Sequence, residues 1–170
     1  MTQSTLSGIA TTGENRRGVL GRRIALSVLA VIVAVGASGW LGVHAQTVRS
    51  ATGGYTLSLT YPRVARSGLD IPWELRLTHP GGFKGSIVVA VPSNFFDIIE
   101  YQDFHPAPSD ETATGNFNYL TFSPPPGDVF TLALDTYIQP ASQIGRSGNV
   151  VAFVNKLPVA HVHFSTLLIP

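Results

Sequence analysis

His161 and His163 stand two residues apart near the C-terminus of this 170-residue chain. On a strand that spacing sends both imidazoles to one face, where they offer two ligands to zinc or copper. Two donors do not hold a metal, because zinc sites need three or four fixed ligands. His105, beside Asp103, adds a further imidazole, but no spacing ties it to the pair. The simpler reading is a solvated strand face that carries His161 and His163 and protects an edge. Asp97, Glu100, Asp103, Asp110 and Glu111 form an acidic group of the kind that holds calcium or supplies a carboxylate pair for hydrolysis. It has neither the ordered spacing of an EF-hand nor a defined acid/base pair, and reads more simply as a solvated loop. Ser67-Gly68 and Ser147-Gly148 lack the strand–turn–helix setting of a nucleophile elbow. The chain has no cysteine, which excludes thiol nucleophiles, cysteine-ligated zinc and the usual blue-copper site. No catalytic set and no cofactor motif stands out, so the expectation is a non-enzyme without a cofactor.

Binding chemistry is easier to find. Phe95, Phe96, Ile98, Ile99, Tyr101 and Phe104 concentrate apolar area in a stretch that ends at Pro106-Ala107-Pro108. A strand buries only alternate positions against a one-sided core, so some of these side chains are expected on the surface. Phe95, Phe96, Tyr101 and Phe104 are therefore the candidate partner-binding residues, an aromatic patch with an acidic rim. The competing reading is a segment that crosses between two sheets and buries both faces. The loop 139–149, with Arg146 between Gly145 and Gly148, carries polar groups able to hydrogen-bond a glycan or a partner backbone. Its plainer reading is an interstrand connection.

The elements that must position these residues are strands. Tyr55, Leu57, Leu59 and Tyr61 alternate with Thr56, Ser58 and Thr60, and Ile71, Trp73, Leu75 and Leu77 repeat the device with Glu74 and Arg76 turned outward. Pro80-Gly81-Gly82 marks a turn, and 86–91 reads as a strand buried on both faces. Strands are also expected at 116–122 and through Phe130, Leu132 and Leu134, and 150–154 pairs with 159–168 as a hairpin. Asn94 to Tyr101 has room for a short helical turn. Seven or eight short strands in one cysteine-free body predict an all-β domain at 54–170, a single immunoglobulin-like β-sandwich whose core holds without disulfides. Trp73 suits its core, although the cysteine pair that accompanies the tryptophan of antibody domains is missing.

Ahead of this body, 24–43 runs for twenty residues without a charge, about 30 Å as a helix and enough to cross a bilayer's hydrocarbon core. Arg16, Arg17, Arg22 and Arg23 precede it with only Glu14 against them, so a basic, unstructured tail at 1–23 is expected to stay cytoplasmic while the rest is exported. Ala30, Ala34, Ser38 and Gly42 recur at every fourth position as a small-residue ridge, common in membrane helices and export signals alike. A flexible linker is expected over 44–53. Val43-His44-Ala45 before Gln46 also satisfies the rule for signal-peptidase cleavage, so a tethered and a secreted domain both remain open. From Ala45 onward seven basic residues face nine acidic ones, with no basic stripe, which argues against a nucleic-acid partner.

Arg66-Ser67-Gly68-Leu69-Asp70-Ile71-Pro72-Trp73-Glu74-Leu75, then His79-Pro80-Gly81-Gly82-Phe83 and Gln143-Ile144-Gly145-Arg146, together resemble a group of actinobacterial single-pass membrane proteins. These carry an extracytoplasmic immunoglobulin-like domain and are associated with YetF-like membrane proteins. The resemblance implies anchoring rather than cleavage and an integral membrane partner of the YetF-like type. It implies no activity, so it transfers no catalytic residue. The expected role is that of a membrane-anchored interaction or accessory module. The alternative is an envelope protein that binds a ligand or metal through His161 and His163.

Overall fold

A computed structural model describes residues 16–39 and 42–169, in two units that part near residue 41. The first is a helix, α1 (Arg16–Ala37). Its stretch Arg17–Ala37, with a mean hydropathy of 2.0 over its most apolar 18 residues, is long and apolar enough to cross a membrane. The helix departs from the expected 24–43 span at both ends. It takes in the arginines, because arginine is a good helix former. It stops at Ala37, where Ser38 donates from its backbone to Ala34 and from its hydroxyl to the Val35 carbonyl, and Gly39 follows at a φ of 73°. Glycine reaches that left-handed conformation without steric cost. The small-residue ridge is therefore cut short: Ala30 and Ala34 lie on the helix, whereas Ser38 and Gly42 lie beyond it. Of the basic tail expected over 1–23, positions 1–15 lie outside the described residues, and 16–23 are helical rather than unstructured.

The second unit is a β domain. Its elements are β1 (His44–Thr52), β2 (Tyr55–Arg66), β3 (Trp73–Thr78), β4 (Ile87–Pro92), α2 (Ser93–Phe96), β5 (Ile99–His105) and β6 (Asp110–Thr114). After these come β7 (Phe117–Phe122), β8 (Val129–Ile138), β9 (Ser147–Val154), β10 (Leu157–Ser165) and β11 (Leu167–Ile169). They form two sheets, ordered β1-β2-β3-β8-β5 and β10-β9-β4-β7-β6. All pairings are antiparallel except that of β11, which runs parallel to β2.

Alternation makes the core. Leu57, Leu59 and Tyr61 on β2, Leu75 and Leu77 on β3, and Phe130, Leu132 and Leu134 on β8 are buried from the first sheet. Ile87, Val89 and Val91 on β4, Leu120 and Phe122 on β7, and Val150, Ala152 and Val154 on β9 meet them from the second, in one continuous cluster. Fully burying an aliphatic side chain contributes about 1.5–3 kcal/mol, so a set this large holds the domain without disulfides. Trp73 is buried as expected, although its indole N–H finds no acceptor among the described residues.

The expected linker at 44–53 is instead β1. Only Gln46, Val48 and Ser50 turn inward, partly buried, so its own pattern is weak. Its order comes from β2, which supplies a full antiparallel ladder and a Thr60 hydroxyl 2.8 Å from that of Thr47. The hairpin between β9 and β10 is tighter than expected. Asn155 and Lys156, at φ of 52° and 66°, make a two-residue turn, and Leu157 already belongs to the strand. Both positive φ values suit the twist of adjacent strands.

The connection 139–146, shorter than the expected loop because 147–149 already belong to β9, is clamped to Thr166 just beyond β10. The Thr166 amide donates to the Arg146 carbonyl, and the Thr166 hydroxyl donates to Pro62. A Cβ on Gly145 would lie 1.8 Å from the Thr166 carbonyl oxygen. Gly145→Ala is thus expected to lower stability by about 1–3 kcal/mol, the usual cost of overpacking, seen as a lower urea midpoint with an unchanged slope.

Candidate interaction face

The aromatic segment turns inward. Chain leaving β4 in the second sheet reaches β5 in the first through α2, and a crossing segment buries side chains on both flanks. Phe95 is fully buried, with its ring 5.2 Å from Phe164, 6.1 Å from Phe96 and 6.4 Å from Trp73. Phe104 is buried at the other end of β5, Ile98 and Ile99 are buried between, and Phe96 is half-buried. Only Tyr101, 41% accessible, is displayed, and it rests on Phe96 and Phe104. Phe95 and Phe104 are therefore core residues, and the expected patch is reduced to Tyr101 with the edge of Phe96.

The polar candidates do not converge either. Glu100 accepts a hydrogen bond from Tyr137, which raises the phenol's pKa above the usual tyrosine value. Asp103 accepts from the Phe104 amide, Asp110 accepts from the Thr112 hydroxyl, and Asp97 is the C-cap of α2. Among the described residues no three His, Asp or Glu side chains gather into a metal-sized group. His161 and His163 do share the exposed face of β10, where His163 Nδ1 lies 3.0 Å from Asn149 Oδ1. Arg146 donates to the carbonyls of its own loop, at Ile144 and Gly145, and Ser67 donates to the Ser142 carbonyl.

What the sheets place together is a different surface. On the outer side of the second sheet, cross-strand register aligns Thr112, Tyr119, Ala90, Val151 and His161 in one row over all five strands. A neighbouring row runs Asp110, Thr121, Val88, Phe153 and Pro158. On the far side Thr114, Phe117 and Pro92 continue the pattern, with Asn149 and His163 at the opposite margin. Phe117, Tyr119, Val88, Val151 and Phe153 are half-buried, and Tyr119 lies 6.3 Å from Phe117 and 6.4 Å from Phe153. Asp110, at one corner, supplies the sole formal charge in these rows; the two histidines stand on the opposite edge.

The outer side of the first sheet is the contrast. There Thr56, Ser58, Thr60, Arg49, Glu74, Arg76, Thr131 and Asp135 point outward. Its Arg76–Glu74 contact, at 3.7 Å with both side chains about half accessible, adds little stability. One face is thus solvated in the ordinary way and the other is aromatic and aliphatic. The expectation that 86–91 is buried on both faces is largely met within β4, where Ala90 is 2% accessible and only Val88 is partly exposed, and the cover on their outward side comes from neighbouring side chains of the same sheet. Val-Val-Ala-Phe-Val at 150–154 carries the same signal, apolar at both parities. Phe117 and Tyr119 add the aromatic share.

Comparison with known proteins names no family. No protein-family model matches the chain, and no curated protein matches it. Among solved structures, one match is a Pseudomonas fluorescens alkylpurine DNA glycosylase, AlkC, bound to DNA containing an abasic site analog. It is 14% identical with a TM-score of 0.32, over 73% of this chain and 29% of that one. A likeness at that score carries no argument about this protein.

The burial difference within 95–104 is measurable. Phe104→Ala is expected to cost about 3–5 kcal/mol by emptying a core site, whereas Tyr101→Ala at the surface costs under about 1 kcal/mol. Urea denaturation of the two variants against the native chain checks it.

Proposed function

We propose that this protein is a membrane-anchored, extracytoplasmic interaction module that assembles with another protein of the cell envelope or membrane through the outer face of its second sheet. The observation that carries the reading is the aromatic and aliphatic row pattern of Tyr119, Ala90, Val151, Phe117 and Phe153, set against the polar outer face of the first sheet. An antiparallel sheet with one side on the core normally turns polar residues outward, and an uncharged patch with aromatics is the usual make-up of a contact surface.

Anchoring is supported by α1. Its 22 residues extend about 33 Å, close to the hydrocarbon thickness. Arg22 and Arg23 lie inside that length, and their long side chains carry the charge back toward the headgroups. The excess of arginine before the apolar stretch keeps that end cytoplasmic, which exports the β domain. The resemblance to single-pass proteins points the same way and favours an integral membrane partner, of which the YetF-like type is the example.

Immunoglobulin-like topology is part of this reading. β2-β3-β8-β5 and β10-β9-β4-β7 have the spatial order of the two sheets of such a domain. The path differs, since β5 joins the first sheet before the β6–β7 hairpin is added to the second. A module of this kind needs no chemistry of its own, and α1 confines it to a surface where even a modest patch meets its partner often.

Two measurements test the proposal. Mass spectrometry of the protein from membranes is expected to find the N-terminus upstream of Ala45; a start at Gln46 refutes anchoring. Pull-down from detergent-solubilised membranes is expected to recover a specific partner that Phe153→Asp and Val151→Asp abolish and Glu74→Ala does not. Recovery unaffected by both face variants refutes the assignment of the face.

A further inference from the structure

We infer that the envelope protein seated on this face is a second copy of the same chain, packed sheet on sheet about a twofold axis parallel to β4. The inference rests on the reading of the face as a contact surface and adds the identity of its occupant.

Charge is the first reason. A twofold interface sets each patch against itself, so any cluster of like charge is opposed by its own copy. The central strands of this face, β9, β4 and β7, present no Lys, Arg, Asp or Glu outward, and Asp110 stands at a corner. The first sheet, with Arg49, Glu74, Arg76 and Asp135 outward, offers no such uncharged field.

Relief is the second reason. β4 is the middle strand of the sheet, and its outward residue in the central row is the small Ala90. Phe117 and Tyr119 on β7 are bulky where Asn149 and Val151 on β9 are shorter, and Phe153 on β9 is bulky where Thr121 on β7 is shorter. A twofold axis along β4 carries β7 of one copy over β9 of the other, so the Tyr119 ring meets the shorter Val151, beside Ala90, which is already covered by its own neighbours. The same axis places β10 over β6, which seats His161 opposite the threonine-rich edge at Thr112 and Thr114. An axis across the strands would instead stack Tyr119 on Tyr119 and the histidines on one another.

Size is the third reason. Five strands at about 4.8 Å spacing and three outward positions per strand make a face about 20 Å on a side, burying roughly 1,000 Å² in a pair. That lies just under the range of stable specific interfaces, so a free domain pairs weakly. Two copies held in one membrane by α1 gain effective concentration, and weak pairing then suffices.

The absence of cysteine makes the arrangement directly testable. Thr112 and His161 lie on the outermost strands of the sheet, about 19 Å apart within one chain, whereas packed sheets stand about 10 Å apart. The double variant Thr112→Cys/His161→Cys, as the full chain in detergent micelles, is treated with a bismaleimide of about 10 Å span, matched to that inter-sheet distance. The expected product on a denaturing gel is a dimer of the 18.1 kDa chain. Each single variant, and Ser58→Cys on the opposite sheet, should give about tenfold less, because only the β10-over-β6 pair lies within reach.

Val151→Asp in the double-cysteine background should abolish the product. Thr114→Arg on the exposed edge strand does the same if Val151→Asp fails to melt cooperatively. Equal cross-linking by Ser58→Cys, or none by the double variant, overturns self-pairing. If cross-linking fails while Val151→Asp still releases a different protein in the membrane pull-down, the face is a contact surface for another chain. If Val151→Asp affects neither experiment, the contact-surface reading falls as well.

Discussion

Phe95 stands where the chain passes from one sheet to the other, with its ring against Phe164 of the second sheet and Trp73 of the first. Tyr61 meets the same Phe164 ring from β2 at 5.8 Å. In a domain without disulfides this aromatic junction ties the crossover to both layers, and edge-to-face pairs add about 0.5–1.5 kcal/mol each beyond the area they bury. Because α2 and β5 are held there, Ile98, Ile99 and Phe104 are drawn into the core with Phe95. The most aromatic stretch of the chain thus serves folding, and a contact surface has to be sought elsewhere.

The proposed contact surface follows from the asymmetry of the two sheets. Both turn alternate residues onto one core, but they differ in what they turn away from it. The first sheet presents threonine, serine and charged groups, which water solvates without cost. The second presents Val88, Tyr119, Val151 and Phe153, partly sheltered by one another and packed over the buried Ala90. An apolar outer face leaves hydration free energy unrealised, at roughly 25 cal/mol for each Å² that a partner would cover. The histidines single out the same face from a different direction. Among the described residues no third His, Asp or Glu side chain gathers with them, and they form one margin of the patch.

Much of the fold was legible in the chain. Period-two runs located β2, β3, β8 and the β9–β10 hairpin, because one-sided burial writes itself into the residue order. β1, β6 and β11 were not legible. β6 is exposed along its whole length, β1 turns only Val48 inward among apolar residues, and β11 is three residues long. Such strands are specified by the ladder a neighbour offers, and that neighbour is remote in sequence. The acidic residues illustrate the same limit: Glu100, Asp103 and Asp110 are close in the chain but take separate partners once β5 and β6 belong to different sheets.

Composition and order alone determined an apolar helix preceded by arginines, the all-β character of the body and the inward set of its central strands; that the helix takes in the arginines came from the structure. These depend on local periodicity and on the cost of placing charge in an apolar medium. Tertiary structure decided that Phe95 and Phe104 are core and that 44–52 is a strand. It also decided that the displayed apolar surface lies on β9, β4 and β7. The physical reason is that burial is a property of two faces at once. A residue's own neighbours in sequence say which side of a strand it occupies, but only the packed sheets say what, if anything, covers that side.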